Sequence, residues 1–307
     1  MRVAVMGAGA LGGFYGGLMA RAGEDVTFIA RGKTLEALRD HGLTVKSRLK
    51  GDFTIPVTAT NDANSLGAVD LVFFSVKSYD LDTAVQAIKP LVGPETMVLS
   101  VQNGIDNEQR IGKIVGDQAV IGGVVVVSST VEAPGVIAQV GGPALVRFGE
   151  MTPGITPRVR RLKDLFDKID IPAEALEDIR GPLWQKFMLI CAMSGVCSLT
   201  RLTLQQIFAV PETKQFYRDV MAEVTAVARA QGVDLPESAA DDALVAMQSM
   251  LATAERGSMA YDLMAGRRIE IETLNGTVVR LGRESGVATP YNFAIYASLK
   301  PFANGAP

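Results

Sequence analysis

Residues 1–33, MRVAVMGAGALGGFYGGLMARAGEDVTFIARGK, decide the fold of this chain. The stretch has features of a secretory signal peptide, because residues 3–20 carry no charge and Ala20-Arg21-Ala22 has the small-x-small form of a cleavage site. Six glycines interrupt the uncharged run, however, and each costs a helix about 1 kcal/mol relative to alanine. These glycines disfavour the compact hydrophobic core of a signal peptide.

The same residues fit a strand, a tight turn and a helix, in the order that a dinucleotide-binding βαβ unit requires. Residues 3–6 form a short apolar run typical of buried parallel strands, and a second strand is predicted over residues 25–29. In the GxGxxG pattern between them, Gly7 permits the turn, Gly9 lets backbone N–H groups approach a pyrophosphate, and Gly12 allows close helix-to-strand packing. The cofactor-binding residues predicted in this loop are Gly7, Ala8, Gly9, Ala10, Leu11 and Gly12.

The tip of the second strand favours NADP over NAD. NAD-binding domains usually place Asp or Glu there to bind the ribose hydroxyls, whereas NADP-binding domains place a cation there for the 2′-phosphate. In this chain Arg31 stands at the tip, while Glu24 and Asp25 lie at the start of the strand. We therefore expect NADPH as the cofactor and Arg31 as a phosphate ligand, with an ordinary solvated loop cation as the alternative.

Composition indicates a globular protein with two domains. The 307 residues are 48% hydrophobic, with a net charge of −3, so nucleic acid and anionic membranes are not expected partners. The uncharged stretch 187–200 is expected to be too short for a bilayer span. Its two cysteines, Cys191 and Cys197, are typical of core residues in a reducing, cytoplasmic compartment. With His41 as the sole histidine and no CxxC pair, no metal cluster is expected.

Alternating strand and helix patterns predict an α/β fold. A Rossmann-type parallel sheet is expected to form an NADP-binding domain over residues 1–169, and an all-helical C-terminal domain for substrate binding or dimerisation is expected over residues 178–307. Further strands are predicted at 70–76, 97–102 and 119–127, with helices near 81–91, 106–115 and 156–168.

Glycine and proline predict the remaining boundaries. The runs 135–140 and 144–148 bracket a Gly-Gly-Pro sequence and predict a hairpin added to the sheet. Residues 170–178 predict a short strand and a linker. Helices are then expected from Pro182 onward, over 211–232 and over 236–257.

The carboxyl ends of the predicted strands nominate further binding residues, because ligands of open parallel sheets gather there. Lys77 follows one strand and could reach the adenosine phosphate. Asn103 follows the next strand, and its amide can bind ribose, nicotinamide or substrate. Ser128, at the end of the strand that begins at residue 119, is a weaker candidate. Each residue also suits an ordinary turn, most of all Asn103 before Gly104.

The available side chains narrow the choice of a proton donor. The position of His41 is explained by a helix end before the next strand, so a histidine acid is not expected. Lysine is the remaining natural donor, since desolvation can tune its pKa. Lys186 stands out because the fourteen residues that follow it in its predicted helix are uncharged. Its ammonium group must either extend to solvent or face a cleft.

Several motifs together resemble the ketopantoate reductase family over essentially the whole chain. They are the GxGxxG loop at residue 7, Arg31, Val76-Lys77-Ser78-Tyr79, Gln102-Asn103-Gly104, Leu183-Trp184-Gln185-Lys186, Ser258-Met259 and Glu270-Ile271-Glu272-Thr273-Leu274-Asn275-Gly276. The resemblance implies NADPH-dependent reduction of a 2-oxo acid, with 2-dehydropantoate to pantoate, a step of pantothenate biosynthesis, as the leading reaction. A homodimer is a further expectation.

The resemblance also implies residue roles. Lys186 would protonate the ketone oxygen, Glu270 would hold the substrate hydroxyl and Ser258 would bind the substrate carboxylate. Asn103 would touch both cofactor and substrate. Arg31 and Lys77 would engage the NADP phosphate.

Three departures from the family pattern concern the substrate. The family usually has Asn four and eight residues beyond the lysine and three residues before the Ser-Met pair, where this chain has Ile190, Ser194 and Glu255. Ser194 stays a predicted substrate-binding residue, but losing amide contacts to a polar substrate lowers affinity steeply. Another 2-oxo acid, an opine or 3-hydroxy acid dehydrogenase activity, and a non-catalytic NADP sensor remain as alternatives. Retention of Lys186 and Glu270 favours catalysis.

Overall fold

The computed structural model describes residues 1–248 and 256–306. The chain divides into two compact units. Unit 1 contains Met1–Gln102 and Asp106–Ile179, and unit 2 contains Asn103–Ile105 and Arg180–Pro307.

Unit 1 alternates strands and helices from its first residues. Its strands are β1 (Arg2–Met6), β2 (Asp25–Ile29), β3 (Leu43–Ser47), β4 (Phe53–Ile55), β5 (Thr58–Thr60), β6 (Leu71–Phe74), β7 (Met97–Ser100), β8 (Val120–Ala133), β9 (Val136–Glu150) and β10 (Ala173–Ala175). Its α-helices are α1 (Ala10–Arg21), α2 (Gly32–His41), α3 (Leu81–Ile88), α4 (Asn107–Val115) and α5 (Pro157–Lys168). Single 3-10 turns lie at Ala63–Ser65, Ser78–Asp80, Lys89–Leu91 and Asp117–Ala119.

The strands form one sheet in the order β4-β3-β9-β8-β7-β6-β1-β2-β5, and β10 pairs with β9. β1 lies inside the sheet, paired in parallel with β2 and β6. Val5 packs into the apolar cluster on one face of the sheet and Ala4 into the cluster on the other. A strand covered on both faces must be apolar throughout, as residues 3–6 are. The predicted α/β class, a Rossmann-type sheet followed by helices, is confirmed.

The predicted hairpin around residues 141–143 is wrong, because β9 runs through them without reversing. β9 pairs antiparallel with β8, and the chain reverses at residues 134–135 instead. Gly142 at φ 75° and Ala144 at φ 54° adopt the left-handed conformation, and the pairing register shifts in the facing part of β8. The Gly-Gly-Pro run therefore forms a bulge, since β8 supplies the pairing partner that a local hairpin would need.

The sequence patterns indicated a strand after His41 but assigned no residue range to β3, β4 or β5. β3 pairs in parallel with β9, so that Thr44 faces Val136, and β4 pairs antiparallel with β3. β5 extends the other edge of the sheet beside β2. These strands are only three to five residues long, too short for a clear periodic pattern, and β3 and β5 also pair with strands at least 30 residues away.

The regular elements in the described part of unit 2 are all helices. Its α-helices are α6 (Arg180–Thr200), α7 (Leu204–Ala209), α8 (Pro211–Ala230), α9 (Ala239–Gln248), α10 (Ser258–Met264), α11 (Thr277–Ser285) and α12 (Pro290–Leu299), with a π-helical turn at Glu272–Gly276 and a 3-10 turn at Lys300–Phe302. The helix predicted over 236–257 begins three residues after Pro236, and its later residues, including Glu255, lie outside the described residues.

α6 is the central helix of unit 2 and packs against α8, α10 and α12. It is longer than its uncharged stretch because it already begins at Arg180. By length and composition alone α6 is sufficient for a membrane span, but 61% of its most apolar window is buried inside the protein, which is typical of a core helix. Cys191 and Cys197 are free and buried, as predicted. Burial raises the pKa of both thiols.

A partly buried ion pair joins the end of β9 to α5. Arg158 Nε donates to Glu150 Oε1 at 2.8 Å, and Arg158 Nη2 donates to Glu150 Oε2. The hydroxyl of Thr156, which caps α5 by accepting from Val159 N–H, also donates to Glu150. Burial opposes ionisation of Glu150, but these hydrogen bonds and the Arg158 charge outweigh it and hold the pKa of Glu150 below its ordinary value.

We expect Glu150→Gln to lower the free energy of unfolding at pH 7 by about 2–3 kcal/mol, because it leaves the largely buried Arg158 guanidinium without its charge partner. A depressed folded-state pKa gives stabilisation that is present above the unfolded-state pKa and is lost as the pH falls through the folded-state value. Urea unfolding should therefore show wild-type stability falling more steeply than the variant's below pH 4.5.

Glu174→Gln is the matched control, since Glu174 forms an exposed pair with Arg147 in the same sheet. Exposed pairs contribute only about 0–1 kcal/mol, so this variant should stay close to wild type. Equal losses for both variants would contradict the stabilising role of the Glu150 pair.

Candidate active site

The glycine loop between β1 and α1 is shaped by close backbone contacts. Gly7 adopts φ 100°, and a Cβ atom on Gly12 would lie 2.0 Å from the Gly7 carbonyl oxygen. The Ser75 hydroxyl donates to that same oxygen at 3.0 Å. A Cβ on Gly9, in contrast, would meet nothing within 4 Å. The loop is therefore tight on its strand side and open at Gly9.

An open Gly9 suits a dinucleotide pyrophosphate. α1 begins directly after Gly9, and within residues 1–248 and 256–306 no side chain caps this helix. The first N–H groups of a helix have no partner inside the helix and attract anions. The residues of this loop that could hold the pyrophosphate of NAD(P) are Gly7, Ala8, Gly9, Ala10, Leu11 and Gly12. Ser75, which donates to the Gly7 carbonyl oxygen, was not predicted from the sequence.

Arg31 lies at the tip of β2, immediately before α2. Its side chain is 78% exposed, and its Nη2 donates to Asp80 Oδ2 at 3.2 Å. Asp80 ends the 3-10 turn that follows Lys77, so the loop after β6 brings both a lysine and a carboxylate toward this edge of the sheet. Lys77 was predicted from the sequence, whereas Asp80 was not, because its only signal is its place three residues later in the same loop.

The loops after β6 and β7 are joined by Gln102. Its Nε2 donates to the Val76 carbonyl oxygen at 2.8 Å. The chain then enters unit 2 for three residues, and Ile105 packs against the apolar cluster of that unit. Asn103 therefore belongs structurally to unit 2, although it follows a strand of unit 1.

The predicted position of Ser128 at a strand end is wrong. β8 continues to Ala133, so Ser128 lies inside the strand opposite Gly141. The strand is longer than its apolar part because β9 pairs with the polar extension. Ser128 is half-buried there.

One face of α6 carries three residues singled out from the sequence. Lys186, Ile190 and Ser194 follow each other at intervals of four, which places them on one side of the helix. Lys186 and Ile190 are half-buried, and Ser194 is buried. A Cβ on Gly257 would lie 2.7 Å from Ser194 Oγ, so the chain just before α10 packs on this serine. The residue after Gly257 is Ser258, the exposed first residue of α10.

Glu270 is buried and stands just before the π-helical turn Glu272–Gly276. Its carbonyl oxygen accepts from Leu274 N–H at 3.1 Å, and Gly276 N–H reaches back to the Ile271 carbonyl at 2.9 Å. A Cβ on Gly276 would lie 2.9 Å from the Tyr296 ring, so a glycine is needed at this position. Single π turns of this kind often occur at functional sites.

A buried hydrogen-bond chain attaches this turn to α6. Asn275 Nδ2 donates to the Cys191 carbonyl oxygen at 3.3 Å and to Asn292 Oδ1 at 2.9 Å. Asn292 Nδ2 donates to Glu223 Oε2 at 2.7 Å. An ionised carboxylate only accepts hydrogen bonds, so Glu223 fixes the orientation of Asn292 and, through it, that of Asn275. The segment that carries Glu270 is therefore held against the helix that carries Lys186.

A Tyr-x-x-x-Lys spacing, as in the catalytic pair of short-chain dehydrogenases, occurs at Tyr296 and Lys300. Tyr296 Oη donates to Glu272 Oε2 at 3.0 Å, and Lys300 forms an ion pair with the same carboxylate. Both side chains thus hold Glu272 within the helical unit. These contacts explain the pair without a catalytic role.

Two family models match the chain. "Ketopantoate reductase PanE/ApbA" matches residues 3–153, and "Ketopantoate reductase PanE/ApbA C terminal" matches residues 178–303. The chain belongs to the ketopantoate reductase family. It is therefore an oxidoreductase that acts on a CH–OH group with a nicotinamide nucleotide.

Relatives and solved structures agree with this family. The 2-dehydropantoate 2-reductase of Mesorhizobium japonicum is 31% identical, over 99% of this chain and 98% of its own length. The crystal structure of a ketopantoate reductase from Ralstonia eutropha JMP134 matches with a TM-score of 0.90 at 34% identity, covering 99% of this chain and 98% of that one. D-mandelate dehydrogenase, solved with NADH and anilino(oxo)acetate, shares the fold with a TM-score of 0.90 at 23% identity over 99% of this chain and 98% of that one.

The two glycines of the loop should respond differently to a methyl group. We expect Gly12→Ala to destabilise the fold, because its Cβ would overlap the Gly7 carbonyl and crowd Ser75 Oγ at 2.6 Å. Overpacking of this kind typically costs about 1–3 kcal/mol. We expect Gly9→Ala to keep wild-type stability but to weaken NADPH binding at least tenfold, because its methyl group would occupy the space at the open backbone.

Thermal unfolding and fluorescence titration with NADPH measure the two effects separately. The pair is its own control, since the same chemical change is made at two glycines three positions apart in one loop. Normal NADPH affinity in a folded Gly9→Ala variant would contradict the pyrophosphate cradle.

Proposed function

We propose that this protein reduces 2-oxo acids to 2-hydroxy acids with NADPH, and that 2-dehydropantoate to (R)-pantoate is its leading reaction. The proposal depends on one observation above all: a half-buried lysine, Lys186, shares a face of α6 with the buried Ser194. The segment that carries Glu270 is bonded to the same helix through Asn275. The Lys186 ammonium, the Ser194 hydroxyl and the Glu270 carboxylate thus lie on connected elements. Groups of these types form hydrogen bonds with the ketone, carboxylate and hydroxyl groups of such substrates and products.

Reduction of a ketone requires a hydride at carbon and a proton at oxygen. The nicotinamide supplies the hydride when the cofactor is bound. Lys186 donates the proton from Nζ to the ketone oxygen, and in the reverse direction it accepts that proton. Glu270 holds the substrate hydroxyl, Ser258 binds the substrate carboxylate, and Asn103 touches both substrate and cofactor.

NADPH is proposed as the cofactor on the residues of unit 1. The open backbone at Gly9 and the start of α1 would bind the pyrophosphate. Arg31 and Lys77 would bind the 2′-phosphate, for which a guanidinium is a strong hydrogen-bonding partner. Ser128 is a weaker candidate, since it lies within β8.

A second candidate function is reduction of a different 2-oxo acid, and Ile190 favours it. Where the family pattern has an asparagine, this chain has Ile190, a half-buried residue on the same face of α6 as Lys186. The same fold in D-mandelate dehydrogenase holds NADH and anilino(oxo)acetate, so the fold alone does not restrict the substrate to 2-dehydropantoate. An opine or 3-hydroxy acid dehydrogenase activity is less favoured.

A non-catalytic NADP sensor is the least favoured alternative, because it would need neither Lys186 nor Glu270. The proposed setting for the enzyme is a cytoplasmic homodimer in pantothenate biosynthesis. The reducing compartment is supported by the two free cysteines in the core of unit 2.

We expect Lys186→Ala to lower kcat for ketone reduction by at least about 100-fold, because the ketone oxygen loses its proton donor. Affinity for NADPH should stay within a few fold of wild type. The wild-type reduction rate should fall as the pH rises through the pKa of Lys186 in the ternary complex, whereas the rate of alcohol oxidation should rise.

Gln185→Ala is the matched control for Lys186→Ala, since Gln185 is the exposed neighbour on α6. Pre-steady-state reduction at several pH values, with NADPH titrations of each variant, makes the comparison. A Lys186→Ala variant with near-normal kcat would show that its ammonium group merely extends to solvent.

We expect Ile190→Asn to lower KM for 2-dehydropantoate, with the regained hydrogen bond contributing about 1 kcal/mol. Ser194→Asn is a poorer test, because the Gly257 backbone leaves no room beside Ser194. Leu189→Asn is the control, since Leu189 is a half-buried residue one position earlier in α6. A micromolar KM and high turnover of the unmutated protein on 2-dehydropantoate would instead make Ile190 a harmless local change.

A further inference from the structure

We infer that Asp80 limits the discrimination between NADPH and NADH by partly neutralising Arg31. The inference rests on the proposed role of Arg31 as the ligand of the 2′-phosphate. The observation behind it is an ion pair: Arg31 Nη2 lies 3.2 Å from Asp80 Oδ2. The second strand lacks an acid at its tip, and this pair brings one there from the loop after β6.

Asp80 is the fixed member of the pair. Its N–H donates to the Lys77 carbonyl oxygen at 2.9 Å, which closes the 3-10 turn, and the next residue, Leu81, is fully buried at the start of α3. Arg31 is the adaptable member, because its side chain is 78% exposed, compared with 37% for Asp80. The carboxylate therefore stays near the end of β2 while the guanidinium can turn toward a ligand.

The pair has little to contribute to the stability of the fold. Exposed ion pairs typically contribute about 0–1 kcal/mol, because water screens the charges and long side chains lose freedom. Its larger effect is on an anion bound at Arg31. A 2′-phosphate carries about two negative charges near pH 7, and any phosphate that binds Arg31 must share the guanidinium with the carboxylate and approach its negative charge.

NADH responds differently because it has hydroxyls where NADPH has the phosphate. NADH has no 2′-phosphate for the Asp80 carboxylate to repel. In NAD-binding domains, a carboxylate near the end of the second strand accepts hydrogen bonds from the ribose hydroxyls. Asp80 thus weakens NADPH binding and leaves NADH binding unchanged or stronger. The Arg31–Asp80 pair makes the protein less selective for NADPH than Arg31 alone would.

The test compares dissociation constants for NADPH and NADH in wild type, Asp80→Asn and Asp82→Asn, measured by fluorescence titration at low and high salt. Asp80→Asn keeps an oxygen that can accept from Arg31 but removes the charge. We expect it to raise the ratio of Kd for NADH to Kd for NADPH about three- to tenfold at low salt, and less at high salt. Asp82→Asn is the matched control, because Asp82 is an exposed carboxylate two residues later that pairs with Arg110 at 2.8 Å.

Arg31→Ala separates this inference from the proposed function. It should lower the Kd ratio; if it does not, Arg31 is not the phosphate ligand, and both its proposed role and the inference about Asp80 fail, while the proposed reduction by Lys186 is unaffected. If Arg31→Ala lowers the ratio but Asp80→Asn leaves it unchanged or lowers it, only the inference about Asp80 is overturned. A lowered ratio would mean that the Asp80 charge helps to hold Arg31 ready for the phosphate. Unchanged melting temperatures in both aspartate variants would show that the effect is local.

Discussion

The contact on which unit 1 depends is the close approach of Gly12 to the Gly7 carbonyl oxygen. A single Cβ at residue 12 would reach to 2.0 Å from that oxygen, so α1 can lie this close to the end of β1 only because the side chain is absent. Ser75, at the end of β6, then donates to the same carbonyl and ties the loop to the neighbouring strand. Strand, turn and helix are thereby held in one geometry, and the open backbone at Gly9 results from it.

Unit 2 depends on a polar constraint instead. The chain of hydrogen bonds from Glu223 through Asn292 to Asn275 has a fixed direction, because a carboxylate stands at one end and a helix carbonyl, that of Cys191, at the other. Each donor and acceptor is buried, so breaking one link would leave polar groups without water to replace it. The π turn after Glu270 is consequently held to α6 by groups that are not themselves proposed to react or to bind substrate.

Charge is distributed differently in the two units. In unit 1 the candidate phosphate ligand Arg31 is exposed and paired with Asp80, so its affinity for anions is set by neighbours and by salt. In unit 2 Lys186 is half-buried on a largely apolar helix, and its charge is screened less. Cofactor binding by Arg31 and proton transfer by Lys186, as proposed above, would therefore respond to different physical variables and can be tested separately.

The sequence by itself determined the features that depend on short spacings. The βαβ start, the Arg31 position, the face shared by Lys186, Ile190 and Ser194, and the α/β class all follow from local periodicity and from glycine chemistry. Their roles in binding and catalysis stay predictions. Only the tertiary structure decided the pairing of β8 with β9, which places Ser128 inside a strand and turns residues 141–143 into a bulge. It alone joined Arg31 to Asp80, 49 residues away, and Asn275 to α6, 84 residues away, because such contacts depend on how distant segments pack and leave no periodic trace in the chain.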